Sequence, residues 1–96
     1  MIRHICMFKL INEDKDAKIA EFFERAESLK DIPQLKRYEV VKNDKRTPDS
    51  NFDVSLIFDF DSVEDLNDYQ TSPIHINFGK FVESVKEDRA CIDYEF

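Results

Sequence analysis

The chain has 96 residues, which is enough for one domain with a single hydrophobic core and one layer of helices on a sheet. It carries 14 Lys and Arg residues against 21 Asp and Glu residues, a formal net charge of -7, and it has no basic run long enough to follow a phosphate backbone. These properties exclude nucleic acid and an anionic membrane surface as partners.

No apolar run approaches the roughly 18 residues that a membrane span needs. The residues after Met1 lead directly into a predicted strand and not into a signal peptide, so we expect a soluble, cytoplasmic protein. The two cysteines, Cys6 and Cys91, are too few for a disulfide scaffold. We interpret both as reduced, buried, small apolar residues.

The first half of the chain predicts three strands and one helix. Residues 2–11 predict a strand that is apolar on both faces at mid-length, as in a strand covered on both sides. Helically spaced apolar residues over 17–29 predict a helix that packs on the sheet. Charged residues within 35–43 favour an edge strand. The period-two pattern of 52–60, with large apolar side chains on one face, predicts the centre of the sheet.

The second half predicts a broken helix and a last strand. Ser62 begins a near match to a helix capping box, and Pro73 ends this short helix because the residue before a proline is disfavoured in the helical region. Residues 75–87 resume a helical pattern and residues 89–96 alternate as a strand. This order predicts an α+β ferredoxin-like sandwich with a four-stranded antiparallel sheet, in one domain over residues 1–96.

The predicted sheet has two apolar faces, of which only one packs on the helices. The opposite face is predicted to carry eight large apolar residues: Ile5, Met7, Tyr38, Val40, Ile57, Ile92, Tyr94 and Phe96. A monomer would expose more contiguous apolar surface there than soluble monomers usually tolerate. We therefore expect a homodimer in which two sheets pack face to face.

Three residues are candidates for chemistry: His4, Tyr69 and His75. Taken singly, His4 is interpreted as a core histidine bonded to the backbone, and Tyr69 as a core aromatic residue. His75 differs, because it follows the Pro73 break and lies in the first turn of a helix, where free N–H groups create a positive potential. Such a position lowers the pKa of a histidine and keeps it neutral, as a general base requires.

Gly79 is the only glycine of the chain, and it lies within a helical pattern where it costs about 1 kcal/mol relative to alanine. Two explanations remain open. The helix packs closely on the sheet at this point, or a side chain here would fill a cavity beside Tyr69 and His75.

No motif for a metal or cofactor is recognisable. His4, Cys6 and Cys91 share a face of predicted strands, but the ligand spacing typical of metal sites is absent, and so are a phosphate-binding glycine loop and a nucleophile elbow. We predict neither a metal nor a cofactor.

Five segments resemble the stress-responsive A/B barrel (Dabb) family in register: residues 3–9, 52–61, 62–69, 72–75 and 91–94. The resemblance runs along nearly the whole chain. It implies a ferredoxin-like fold that dimerises through its sheets into an α+β barrel. Many members have no established activity, but one plant member is a cyclase that closes a linear polyketide without a cofactor, with a tyrosine and a histidine as acid and base.

The resemblance implies these two roles for Tyr69 and His75, with His4 as a third residue of the pocket. His75 would abstract a proton α to a carbonyl, and Tyr69 would donate to the developing oxyanion. Ser72 departs from the plant cyclase, which has a histidine before the proline. A substrate pocket is expected between the helices and the sheet, lined by Phe8, Phe22, Phe23, Leu56, Phe58, Ile76, Phe78 and Gly79.

The sequence thus favours a cofactor-independent cyclase or lyase that acts on a small carbonyl or polyketide-like compound. Two other functions remain open. One is a non-catalytic dimeric module that binds a small hydrophobic ligand or serves a stress response, and the other is a cofactor-free monooxygenase of the related barrel type.

Overall fold

A computed structural model describes all 96 residues, which form four strands and three α-helices. In chain order these are β1 (Ile2–Leu10), α1 (Lys15–Ala26), β2 (Arg37–Lys42), β3 (Val54–Phe60), α2 (Val63–Thr71), α3 (Pro73–Val85) and β4 (Lys86–Glu95). A short 3-10 helix, Glu27–Asp31, follows α1 directly, where the sequence predicts continuous α-helix to residue 29. The predicted ferredoxin-like sandwich is confirmed. No helix is long and apolar enough to cross a membrane.

The four strands form one antiparallel sheet in the order β2-β3-β1-β4. The two inner strands are β1 and β3, as the apolar patterns of residues 2–11 and 52–60 predict. β2 lies at one edge, in agreement with its charged residues, and β4 lies at the other. β4 therefore pairs with β1 alone.

One face of the sheet is covered by the helices and forms the core of the domain. Every second residue of β1 and β3 points to this face and is buried, and the helices contribute Phe22, Leu66, Phe78 and Val82. The rings of Phe8 and Phe22 pack at 5.5 Å and those of Phe22 and Phe78 at 5.4 Å between centroids. We call this the helix-covered face. Burial of each such side chain stabilises the fold by about 1.5–3 kcal/mol, so this face is the main source of stability.

The opposite face of the sheet, here the open face, carries no helix. Six of the eight large apolar residues that the sequence predicts for this face do lie on it: Ile5, Met7, Ile57, Ile92, Tyr94 and Phe96. Arg3 also lies on this face, where its guanidinium donates two hydrogen bonds to Asp59 at 2.8 and 2.9 Å and stacks 4.5 Å from the Phe96 ring. The Arg3 guanidinium lowers the pKa of the Asp59 carboxyl.

Two residues assigned to the open face from sequence, Tyr38 and Val40, lie on the helix-covered face instead. The register of β2 pairs Tyr38 with Phe58 and Val40 with Leu56, and the Tyr38 and Phe58 rings stack at 5.2 Å. The prediction was wrong because a shift of one residue in register moves every side chain of a strand to the other face. The pattern of a half-exposed edge strand does not fix that register.

Cys6 and Cys91 form a disulfide, contrary to the expectation that both are reduced. They lie directly opposite each other in β1 and β4, with 4.2 Å between their Cα atoms. Cys6 is buried as predicted, whereas Cys91 is exposed because no helix covers β4 at this point. The prediction was wrong because it depended on the small number of cysteines, whereas the pairing follows from the β1–β4 register.

Candidate active site

Tyr69 and His75 are brought together where α2 meets α3. Ser72 ends α2, where its N–H donates to the carbonyl of Tyr69 at 3.2 Å. The same residue begins α3, where its hydroxyl accepts from the N–H of Ile74 at 3.3 Å. Pro73 occupies the first turn of α3, where its missing N–H would have no partner within the helix. No loop separates the helices, so the last turn of α2 lies beside the first turn of α3.

Tyr69 lies near the end of α2, and its side chain is completely buried. Its ring packs against Phe60 at 5.0 Å, Phe58 at 5.9 Å and His75 at 4.6 Å between centroids. Burial, and to a lesser degree the proximity of Tyr38, raises the pKa of Tyr69, so the phenol stays protonated. Its hydroxyl has no hydrogen-bond partner in the protein. Buried hydroxyls are normally satisfied, so this one is available to donate to a ligand.

His75 lies in the first turn of α3 and is half-buried. Its pKa is lowered, mainly because burial disfavours the charged imidazolium. Charge interactions with His4 and Arg89 lower it further, and a hydrogen bond with the backbone of Gln70 opposes the shift. A histidine of this kind is neutral at physiological pH and can accept a proton.

His4 lies on the helix-covered face of β1, directly opposite Asp93 of β4. Its Nδ1 atom is 2.5 Å from Oδ1 of Asp93, so the partner of His4 is a carboxylate and not the backbone group that its sequence context suggests. A carboxylate at Nδ1 favours the N–H on that nitrogen and leaves Nε2 as an acceptor. The His4 ring lies 6.2 Å from the Tyr69 ring, which places a second imidazole beside the phenol.

Gly79 lies one turn after His75 in α3. A Cβ atom on Gly79 would meet no atom within 4 Å, so close packing on the sheet does not explain this glycine. Residues four apart in a helix share a face. The helix face that carries His75 is therefore bordered by open space at Gly79.

The family model of the stress responsive A/B barrel domain matches residues 2–96. The chain belongs to this family. The resemblance that the five sequence segments indicate is thereby confirmed. No curated protein sequence matches this A/B barrel domain significantly.

Solved structures of similar fold superpose on nearly all of this A/B barrel domain. A dimeric protein of ferredoxin-like fold from Bacteroides fragilis is 34% identical, with a TM-score of 0.86 over 99% of this chain and 95% of that one. A hydroxynitrile lyase from Passiflora edulis is 20% identical, with a TM-score of 0.82 over 97% and 90%. An antibiotic biosynthesis monooxygenase is 13% identical, with a TM-score of 0.79 over 100% and 98%. The last two likenesses concern the fold alone.

The A/B barrel domain brings only some of the predicted pocket residues to Tyr69. Phe8, Phe22, Leu56, Phe58 and Phe78 are all buried between the helices and the sheet, and Phe58 contacts Tyr69 directly. Two others lie elsewhere: Ile76 is 49% exposed and Phe23 lines a different cavity. Both follow the helical apolar pattern of their segments, which does not distinguish the core side of a stripe from its margin.

The cavity that Phe23 lines is a groove of about 1040 Å³ between α1, the end of β1 and the loop that joins β2 to β3. Three of its four lysines form ion pairs, among them Lys15 with Asp53 at 3.2 Å and Lys45 with Asp16 at 3.2 Å. The basic charge of the groove is therefore largely neutralised by its own carboxylates. No group of three or more His, Cys, Asp or Glu side chains is arranged to hold a metal ion.

Asp93 is the residue of this site that sequence reasoning missed. In a strand that alternates it with Ile92 and Tyr94, an aspartate resembles an ordinary solvent-facing residue. The signal that would have found it is the pair of cysteines. Once Cys6 and Cys91 are aligned, the antiparallel register places Asp93 opposite His4.

Proposed function

We propose that this A/B barrel protein is a cofactor-independent lyase or cyclase of small carbonyl or polyketide-like compounds, with Tyr69 and His75 as its acid and base. The observation that carries the proposal is the Tyr69 hydroxyl, which is buried without a hydrogen-bond partner beside a half-buried imidazole of lowered pKa. A phenol that stays protonated can donate to a developing oxyanion, and a neutral imidazole can remove a proton.

The reaction begins when His75 removes a proton α to a carbonyl group. The electron pair of the broken C–H bond moves onto the carbonyl oxygen, and the Tyr69 hydroxyl donates a hydrogen bond to that oxygen. In a cyclase the enolate carbon then attacks a second carbonyl of the same molecule and forms a C–C bond. The new alkoxide takes the proton back from the His75 imidazolium. A lyase runs the same steps in reverse and breaks the C–C bond.

His4 binds or orients the substrate in this scheme. Because Asp93 accepts the hydrogen bond from Nδ1, Nε2 of His4 is free to accept one from a substrate hydroxyl or enol. The buried position of His4 keeps its ring in one place. The surrounding aromatic side chains, above all Phe58, provide an apolar wall against which a flat conjugated substrate can pack.

We also propose that the working form is a homodimer that packs two open faces together into an α+β barrel. Ile92 and Phe96 are 60% and 54% exposed in a single chain, which is unusual for large apolar residues gathered on one face. The similar protein from Bacteroides fragilis is dimeric. An apolar face of this kind is typical of an isologous interface, in which the same surface serves both copies.

The test of the acid–base pair is a turnover assay on β-polyketone esters and β-hydroxy ketones, which are substrates of the cyclisation and of its reverse. Tyr69→Phe and His75→Ala should each lose about 10²-fold or more in kcat, the usual scale for a positioned acid or base. The double variant should lose little more than the worse single variant, because the two groups serve one proton transfer. Tyr94→Phe removes a phenol from the open face and is the matched control.

Full activity in either single variant would contradict the assignment. Losses that simply multiply in the double variant would show that the two residues act separately. Either conclusion requires that the variants unfold cooperatively like the parent protein.

A second experiment asks whether the open space at Gly79 admits substrate. Gly79→Leu should raise KM about 10-fold or more by filling that space, whereas Gly79→Ala should change KM by less than about 2-fold, because one methyl group meets no neighbouring atom. Equal KM values in the two variants would separate Gly79 from the substrate site.

The second candidate function is a dimeric module that binds a small hydrophobic ligand without catalysis. It requires an apolar site and no proton transfer, and the contacts of the Phe58 and Phe60 rings with Tyr69 provide apolar surroundings. A ligand that raises Tm without being consumed would support the module. A monooxygenase, the activity of one structural neighbour, is separated from both with an oxygen electrode, because it alone consumes O₂ with its substrate.

A further inference from the structure

We propose that the Cys6–Cys91 disulfide is a redox-sensitive latch that holds β4, and with it Asp93, against His4. The two cysteines and the His4–Asp93 pair occupy successive positions on the same face of the β1–β4 ladder. The two pairs are separated by two residues along each strand, which is the spacing of neighbouring side chains on one face. A covalent bond at one position therefore limits the separation of the strands at the next.

β4 is the edge strand that lies beside His4. It pairs with β1 alone, and residues 91–95 are all exposed in one chain. Cys91 and Asp93 point away from the open face that the proposed dimer covers. Segments with few buried contacts and exposed backbone hydrogen bonds are the ones that open locally. β1, in contrast, lies between two strands and is anchored by buried residues such as Phe8 and Leu10. Loosening of the ladder is thus expected on the β4 side, where Asp93 lies.

The two cysteines also differ in their exposure. Cys6 is 2% exposed, whereas Cys91 lies in an exposed stretch, so we expect an external thiolate to attack the bond at Cys91. Disulfides with an exposed sulfur are the ones that exchange readily with small thiols. A latch needs this combination, in which one cysteine is fixed in the core and the other is open to reagents.

The chemistry is thiol–disulfide exchange with a small-molecule disulfide as the oxidant. The thiolate of Cys91 attacks one sulfur of the oxidant, whose S–S bond breaks and releases a first thiol. The thiolate of Cys6 then attacks the Cys91 sulfur and releases a second thiol. Two protein thiols are oxidised, the small disulfide is reduced to two thiols, and these take up the two protons that the cysteines lose. An external dithiol reverses both steps.

Reduction is expected to let the Asp93 end of β4 fluctuate away from β1. The carboxylate then no longer stays within hydrogen-bond distance of Nδ1, and His4 loses the partner that fixes its tautomer. The inference names a regulation of the site in the proposed function. Its readout, the His4 ring, is independent of any turnover.

The experiment compares the intact protein in oxidised glutathione and in dithiothreitol. Alkylation and mass spectrometry should find no free thiol in the first state and two in the second. In dithiothreitol, backbone amides of residues 90–95 should exchange with solvent about 10-fold faster or more, and those of β3 should stay within about 2-fold. Long-range proton–nitrogen NMR should show the His4 ring nitrogens shifting between the two states.

A Cys6→Ala/Cys91→Ala double variant is the control, and it should resemble the reduced protein in both buffers. Identical His4 signals and identical β4 exchange in the two states would overturn the proposal. So would thiols that stay free in oxidised glutathione, or unfolding of the whole chain on reduction, which would make the bond a general staple. Absence of turnover with every substrate, together with a redox-dependent His4 signal, would overturn the proposed function alone.

Discussion

The two faces of the sheet differ in how much of their burial a single chain supplies. On the helix-covered face, Phe58 and Leu10 are completely buried within one copy of the chain. On the open face, Ile92 and Phe96 remain more than half exposed. Because side chains alternate along a strand, the neighbours Ile57 and Phe58 belong to different faces. One chain therefore covers only one face of its sheet, and the candidate site lies on this helix-covered face, at its border with the exposed strand β4.

The largest expected effect on stability comes from a cavity in the core of the helix-covered face. Phe58→Ala should lower the free energy of unfolding by about 3–5 kcal/mol, because it removes a fully buried ring that contacts Tyr38 and Tyr69. Urea unfolding monitored by circular dichroism measures the loss. The matched variant is Ile57→Ala, one residue earlier on the open face.

Protein concentration separates the two variants. The effect of Phe58→Ala should be nearly the same at low and high concentration, whereas the effect of Ile57→Ala should depend on it if a second chain covers the open face. The reverse pattern would mean that the faces are assigned the wrong way round.

The next effect concerns association. Ile57→Asp should raise the dissociation constant of the dimer about 100-fold or more, because an unpaired carboxylate would be buried at the apolar interface. Sedimentation velocity over a dilution series measures it. Val63→Asp is the control, since Val63 is also apolar and exposed but lies on α2, away from the open face. A parent protein that already sediments as a monomer at micromolar concentration would remove the basis of this prediction.

A smaller effect of opposite sign is expected at the Tyr69 hydroxyl, which is buried on the helix-covered face without a hydrogen-bond partner. Tyr69→Phe should raise the free energy of unfolding by about 1 kcal/mol, because it removes a buried hydroxyl that has no partner. Thermal unfolding of the two proteins at one pH measures the difference. A loss of stability would show that the hydroxyl is satisfied in solution, and the argument from its free donor would fail.

The smallest effect is a pH dependence that arises from His75. Its pKa in the folded protein lies below its ordinary value of about 6.5, so the unfolded chain binds more protons in the interval between the two values. The contribution of His75 to stability is therefore complete above the unfolded value and is lost as the pH falls below it. His75→Gln should flatten this part of the stability profile. Urea midpoints between roughly pH 5 and pH 8 measure it, and parallel profiles would contradict the lowered pKa.

Local patterns in the sequence predict most of the fold. The alternation in residues 52–60 and the helical stripe in 17–29 depend only on neighbours in the chain, so they indicate the inner strand and the covering helix directly. The face of Tyr38 is not predictable in this way. It depends on the register of β2 against β3, which is set by contacts between segments and not within one.

In the candidate site, too, contacts between neighbours in the chain are predictable and contacts between distant segments are not. Tyr69 and His75 are near each other in sequence, and the Pro73 break between them is visible without a structure, so their proximity can be predicted. The contact between His4 and Asp93 joins the two ends of the chain and follows only from the β1–β4 register. The same reason explains why both cysteines are interpreted as reduced from sequence.

The double use of Ser72 has a consequence for changes in chain length. Because this residue caps the end of α2 and the start of α3, no spare residues separate the two helices. One inserted residue would either turn α3 by about 100° around its axis, which would point the imidazole away from the phenol, or undo both caps. Substitutions in this segment leave its length unchanged and so keep the rotation of α3 relative to α2. The count of residues from Tyr69 to His75 is therefore a stricter requirement of this site than the identity of the residues between them.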